Sequence, residues 1–296
     1  MSLRIGTRGS ALALAQAREV ADRLESAGAP VEIVPITTSG DRGAPTSRAG
    51  GIKGLFVAEI VRALLDGEVD LAVHSAKDMP AEDPDGLAVI AVPPRADPFD
   101  AVVTRDGELR LGASVGSSSL RRRAQLLRWR PDLDVHPLRG NVDTRLRKLD
   151  AGEVEALVLA VAGLDRLGIA RSHAMTLSIA EMVPAPGQGS LAVQARIDDV
   201  VAREIGAAID DEASRMALAA ERGVVAGLGG DCALPLGALA TVDDGRVHLV
   251  AIVISPDGSE VARTEAEADD PLAAAADATS RLLALGADRI LAAVRS

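Results

Sequence analysis

Eight arginines fall between Arg121 and Arg147: Arg121, Arg122, Arg123, Arg128, Arg130, Arg139, Arg145 and Arg147. With Lys148 they make nine cations, opposed within the stretch only by Asp132, Asp134 and Asp143, so it carries about +6 in a chain of net charge −11. Arginine differs from lysine in presenting a planar, permanently charged fork that matches carboxylate or phosphate. An acidic protein that gathers guanidinium in one place is expected to hold an anion there.

Four short segments place polar groups directly after strand-like runs: Thr7-Arg8-Gly9-Ser10, Ser75-Ala76-Lys77-Asp78, Ser117-Ser118-Ser119-Leu120-Arg121-Arg122 and Leu138-Arg139-Gly140-Asn141-Val142-Asp143-Thr144-Arg145. Open α/β sheets bind ligands at that end of their strands, and two of the segments also open a helix, whose free N–H groups favour an anion. Any one of them alone reads more simply as a hydroxyl-capped surface loop; four in two successive α/β units point to a cleft between domains. Asp78 is the odd member of the set. Beside Lys77 it reads equally as a salt-bridged surface acid or as a group that stabilises a forming cation or moves a proton. Cys232, the only cysteine, stands in Gly227-Leu228-Gly229-Gly230-Asp231-Cys232-Ala233-Leu234-Pro235. A lone cysteine is usually a small buried hydrophobe; the glycines before this one favour an accessible, modifiable thiol.

The elements that must position these groups follow a βαβ rhythm. Strands are expected at Leu3 to Gly6, Val31 to Ile36 and Leu71 to His74, with helices from Ala11 to Ser26, capped by Ser10, and from Leu55 to Asp66. The pattern pauses at Pro93-Pro94-Arg95-Ala96-Asp97-Pro98. It then resumes with strands at Ala101 to Thr104, Ser114 to Gly116, Leu133 to Val135 and Ala156 to Val161, and helices at Leu120 to Trp129 and Val142 to Ala151. Pro184-Ala185-Pro186-Gly187-Gln188-Gly189 reads as a hinge. Beyond Asp211 the runs Leu234 to Val242, Val247 to Ile254 and Glu260 to Thr264, separated by Asp-Gly turns, predict a three-stranded antiparallel meander, followed by an Ala-rich helix from Pro271.

With 296 residues, 48% of them hydrophobic, the chain can fill two or three cores. One cysteine excludes an internal disulfide and a cysteine-built metal centre, and the four histidines show no metal-ligand spacing. The acidic balance argues against nucleic acid and anionic membrane. No apolar run reaches membrane-spanning length and no signal peptide is evident, so a cytoplasmic protein is expected.

Together these residues resemble the porphobilinogen deaminase (hydroxymethylbilane synthase) family. The matching stretches are Arg4 to Ser10, Lys53-Gly54-Leu55-Phe56, Val73 to Pro80, Ser118 to Arg122, Leu138 to Leu146, Leu159 to Gly168, Pro186-Gly187-Gln188-Gly189 and the Cys232 loop, in the family's order across nearly the whole chain. The resemblance implies a transferase that condenses four porphobilinogen molecules head to tail into hydroxymethylbilane, releasing ammonia. It implies a dipyrromethane primer held by a thioether to Cys232, with Asp78 as the catalytic carboxylate. Lys77, Ser119, Arg121, Arg122 and Arg145 fall at cofactor-contacting positions, and Arg8, Ser10, Arg139 and Arg166 at substrate-binding ones, with Ser75 and Ser118 as lesser candidates. The implied fold is two periplasmic-binding-protein-like α/β domains, at residues 1–93 with 190–209 and at 95–184, plus an α+β domain at 211–296 that carries the cysteine. A monomer is implied as well. Two departures stand out: Asp231 occupies a place where the family commonly has glycine, and Ile52 interrupts a Gly-Gly-Lys run, which leaves the alignment of Arg48 and Lys53 open.

Two other classes compete. A bilobed carboxylate-binding protein would also set helix N-termini and arginines around a ligand, but has no need of a cysteine-bearing third domain. A nucleic-acid module would suit the arginines, yet it conflicts with the net charge and with an aromatic content of 1%.

Overall fold

A computed structural model describes residues 2–38, 51–229 and 234–295. In chain order the first lobe contributes β1 (Leu3–Arg8), α1 (Ala11–Ser26), β2 (Val31–Ile36), α2 (Gly51–Leu65), β3 (Leu71–Ser75), a single 3-10 turn (Ala76–Asp78) and β4 (Leu87–Ala91). The second contributes β5 (Asp100–Thr104), β6 (Ser114–Gly116), α3 (Leu120–Trp129), β7 (Asp134–His136), α4 (Val142–Asp150), β8 (Ala156–Ala160), α5 (Val161–Arg166) and β9 (Ala174–Thr176). The chain then adds β10 (Leu191–Arg196) and α6 (Val200–Ala207) to the first lobe. It continues into α7 (Glu212–Gly227), β11 (Leu236–Asp243), β12 (Arg246–Ile254), β13 (Val261–Ala268), α8 (Pro271–Ala284) and α9 (Ala287–Arg295).

Both lobes have the same sheet. The first runs β2-β1-β3-β10-β4 and the second β7-β6-β8-β5-β9. In each, three parallel strands are followed by one antiparallel strand, β10 or β5, that pairs with a strand on either side. The antiparallel strand is in both cases the first one entered after the chain crosses between lobes. Each lobe therefore depends on a strand delivered by a crossing.

Helix placement follows from apolar spacing. Ala17, Val20, Ala21 and Leu24 of α1 recur at helical intervals and pack with Ile5, Leu71, Val73 and Val193 into the first core. The second lobe buries Val102, Val115, Leu126, Val158 and Met182. The third unit is an in-register antiparallel meander covered by α7 and α8. Its first hairpin closes through Asp244 and Gly245, both at positive φ (47° and 78°), as a two-residue turn matching strand twist requires. Asp270 caps α8 and Pro271 starts it, while Ala274, Ala275, Ala278 and Leu282 form its buried stripe. This unit touches both lobes. Leu218 of α7 packs with Ala76, Met79 and Val92, and Ile252 and Ile254 of β12 pack with Ala124 and Val183.

Candidate functional site

The two crossings, residues 92–99 and 184–190, are knotted together by Arg95. Its backbone N–H donates to Ser214 Oγ (2.9 Å) and its Nε to the Gln188 carbonyl (2.9 Å). Its Nη1 and Nη2 donate to the two carboxylate oxygens of Glu221 at 2.6 and 3.2 Å. Glu221 is wholly buried and also accepts the N–H groups of Gly187 (2.5 Å) and Ala240 (2.8 Å). A buried carboxylate with a bidentate guanidinium and two backbone donors is fully satisfied. Crossing to crossing, the fit is tight: a Cβ on Gly189, whose φ is 89°, would lie 2.4 Å from the Ala96 carbonyl oxygen. At Gly187 a Cβ would lie 2.9 Å from backbone atoms of Ala76 and Lys77, so that crossing presses directly on the turn carrying Asp78.

In the first lobe β3 ends at Ser75 and the 3-10 turn projects Lys77 and Asp78, both half-buried. The turn is held by the Ala76 N–H on the Ser190 carbonyl (3.0 Å) and by Lys77 Nζ on Gln188 Oε1 (3.3 Å), while Gln188 Nε2 donates to the Pro98 carbonyl (2.7 Å). Arg8 lies half-buried at the end of β1. Ser10 caps α1, its Oγ accepting the Ala13 N–H at 3.3 Å. One lone pair is spent on the cap, and the hydroxyl can still donate.

In the second lobe Ser119 caps α3 in the same way, accepting the Arg122 N–H at 3.4 Å, and Ser118 is exposed. Arg121 and Arg122 turn inward onto Asp100, which is wholly buried at the start of β5. Arg121 Nη1 lies 2.8 Å from Oδ2, and Arg122 Nη2 lies 2.7 Å from Oδ1. Burial pushes the Asp100 carboxyl up, but the two guanidiniums outweigh it and hold the group well below the usual carboxylate range, with Lys77 of the first lobe adding to the effect. Arg145, on α4, donates from Nε to the Gly140 carbonyl (2.8 Å). Its guanidinium pKa is lowered by burial and by Arg122, and Asp78 from the opposite lobe acts against them.

The +6 stretch is therefore not one cationic wall. Arg130 pairs with Asp132 (2.7 Å), Arg147 with Asp143 (3.6 Å) and Lys148 with Glu153 (3.8 Å), while Arg123, Arg128 and Arg139 are exposed. Arg166 bridges α5 to Glu19 of α1 (2.8 Å) and to the Gly189 carbonyl (3.0 Å). The groups that the fold brings into mutual electrostatic reach are Lys77 and Asp78 from one lobe with Asp100, Arg121, Arg122 and Arg145 from the other. Four cations against two carboxylates in a partly buried cleft suit a ligand carrying carboxylates. Cys232 and Asp231 lie outside the described residues, as does Arg48. Reading the sequence did not single out Asp100, Glu221 or Gln188. Gln188 stood within the Pro184–Gly189 hinge without a role of its own, and Asp100 left a trace as an acid immediately preceding the apolar run Ala101 to Val103.

Comparison with known proteins gives a consistent result. Residues 3–204 match the family model described as porphobilinogen deaminase, dipyromethane cofactor binding domain, and residues 216–284 match the model of the porphobilinogen deaminase C-terminal domain. The porphobilinogen deaminase of Brevibacillus brevis is 45% identical over 300 residues, covering 98% of this chain and 97% of that one. Its counterpart from Desulforudis audaxviator is 48% identical over 301 residues, covering 99% and 97%. Among solved structures, the methionine binding protein MetQ aligns with a TM-score of 0.46 at 14% identity, over 72% of this chain and 92% of that one.

Proposed function

Because the chain belongs to the porphobilinogen deaminase family, we infer that its interlobe cleft condenses four porphobilinogen molecules head to tail into hydroxymethylbilane, releasing ammonia at each addition. A dipyrromethane attached through a thioether to Cys232 supplies the pyrrole terminus on which the chain is built. The observation that carries this reading is the excess of guanidinium over carboxylate where the lobes meet, with one carboxylate, Asp78, projecting from the opposite lobe. Each pyrrole brings two carboxylates, so a chain growing in one cleft accumulates negative charge. Arg121, Arg122 and Arg145, with Lys77 and the Ser119 hydroxyl, hold the cofactor's acidic arms. Arg8, Ser10, Arg139 and Arg166 receive the incoming porphobilinogen. Asp78 stabilises the cation left on that substrate as ammonia departs, and its carboxylate can hold the proton lost from the pyrrole carbon that forms the new bond.

No helix among the described residues is long and apolar enough to cross a membrane. We place the enzyme in the cytoplasm as a monomer acting on porphobilinogen, without nucleic acid or membrane partners. Intact-mass measurement of protein from cells making porphobilinogen tests the reading. The expected mass exceeds that of the bare chain by two pyrrole units, and Cys232→Ser has the bare mass. A bare mass for the unmodified sequence would overturn the assignment.

A further inference from the structure

Resting on that function, we propose that Asp100 is a positioning residue for the cleft: it sets the direction of the Arg121 and Arg122 forks and cancels one of their two positive charges, leaving ligand carboxylates to meet the remainder. The fold itself does not demand this carboxylate. Asp100 opens β5 and pairs with Ala160, the last residue of β8; in the other lobe the equivalent position, paired with Ser75 at the end of β3, is Leu191, 2% exposed. Counted from their serine caps, Arg121 and Arg122 occupy the places held in α1 by Leu12 and Ala13. One lobe thus has an apolar trio where the other has two arginines and an aspartate, on the same backbone plan.

The contacts define what Asp100 does. Its Oδ1 accepts Nε of Arg122 (2.9 Å) and lies 2.7 Å from Nη2 as an ion pair, and Arg122 Nη1 donates to the Val158 carbonyl (3.0 Å), so that guanidinium is held at all three nitrogens. Arg121 reaches Oδ2 and the Val183 carbonyl (both 2.8 Å) through Nη1. Among the described residues this leaves the Nε–Nη2 edge of Arg121, a fork of the shape that takes a carboxylate side-on. Two guanidiniums side by side in a poorly solvated place repel unless a negative charge lies between them. Asp100 directly follows one crossing (92–99), and Val183, which accepts from Arg121, directly precedes the other (184–190), so the trio lies where the lobes meet, and the charge of Lys77 from the first lobe acts on Asp100. Asp100 keeps the forks adjacent and charged, but a ligand must share them with it.

Thermal unfolding of the cofactor-loaded protein and of cofactor-free protein, made in a host that cannot synthesise porphobilinogen, tests the charge half of the proposal. Asp100→Asn should lower the midpoint of the cofactor-free form most, and the gap between loaded and free forms should widen beyond wild type, because ligand carboxylates replace the lost charge. An equal drop in both forms would make Asp100 a structural brace and overturn the proposal. Asp100→Glu tests aim and also serves if the Asn variant does not fold. Keeping the charge but displacing the forks by one methylene, it should still acquire two pyrrole units by mass, while KM for porphobilinogen rises about tenfold; an unchanged KM would refute it. Wild-type protein that never acquires the pyrrole mass would refute the functional reading itself, which the Asp100 variants alone cannot do.

Discussion

The two lobes share one strand order and differ in the residues at three matching places. In the first, the trio Leu12, Ala13 and Leu191 is apolar, and the chemistry sits on the 3-10 turn after β3. In the second, Arg121, Arg122 and Asp100 occupy the matching places. Apolar side chains at these places need no charged partner, whereas a buried ion trio gains little net stability and fails badly if one member is lost. The second lobe therefore carries an arrangement that folding does not require, which points to ligand binding as the reason for it. The first lobe supplies the other carboxylate, Asp78, which the electrostatics couple to Arg145 of the second.

The sharpest way to break this division is to remove the first lobe's contribution. Asp78→Asn keeps size and hydrogen bonding while deleting charge. It should lower kcat by about 100-fold or more, with the circular dichroism spectrum and the covalent pyrrole mass unchanged. A near-normal kcat would shift the chemistry to the arginine side and end the contrast.

Acid distinguishes the lobes by mechanism. His74, on β3, is buried, and burial holds its imidazole at about 4 against an ordinary 6.5; the Gln194 amide beside it and the charges of Asp83 and Asp78 pull the other way. Between pH 6.5 and 4 the unfolded chain binds a proton that the folded chain does not, so stability falls as pH drops through that window, by about 3 kcal/mol in all. Asp100 works lower. Its carboxyl is depressed in the fold, so its contribution is intact above the ordinary carboxylate pKa of about 4 and is lost only below it. The unfolding midpoint should decline from pH 6.5 to 4, and His74→Gln should flatten that part of the curve while leaving the fall below pH 4. An unchanged slope in His74→Gln would sink the assignment.

How much of this was legible in the sequence varies with the range of the forces involved. Local signals placed α1 behind Ser10, α3 at Leu120–Trp129 and β2 at Val31–Ile36, because caps and apolar period act over a few residues. The meander was visible for the same reason: its Asp-Gly turns need positive φ. The short strands β4 and β9 escaped notice, as did the seating of β10 between β3 and β4, since a strand's partners more than a hundred residues away leave no mark on its own period. At the site, the arginines were conspicuous and their pairing was not. A charge count along the chain sees Asp132 and Asp143 but misses Asp100, which β5 brings to Arg121 and Arg122 from outside the cluster. The family resemblance supplied candidate roles; the partners that set each group's charge came from tertiary contacts.

The finest comparison lies in the two serine caps. Ser10 and Ser119 hold equivalent helices by equivalent hydrogen bonds, 3.3 Å to Ala13 N–H and 3.4 Å to Arg122 N–H. Alanine at either should cost about 1 kcal/mol of stability, read as a similar drop in unfolding midpoint. Beyond that they should diverge. The amide that Ser119 fixes belongs to Arg122, so loosening the first turn of α3 also loosens a guanidinium of the trio, whereas Ser10 fixes the amide of an alanine. Ser10→Ala should raise KM for porphobilinogen, since that hydroxyl meets the substrate, whereas Ser119→Ala should narrow the gap in unfolding midpoint between cofactor-loaded and cofactor-free protein, and Ser119→Thr, which keeps the cap, should restore it. An unchanged gap in Ser119→Ala would mean that the arginine trio is aimed by Asp100 alone and owes nothing to the helix cap.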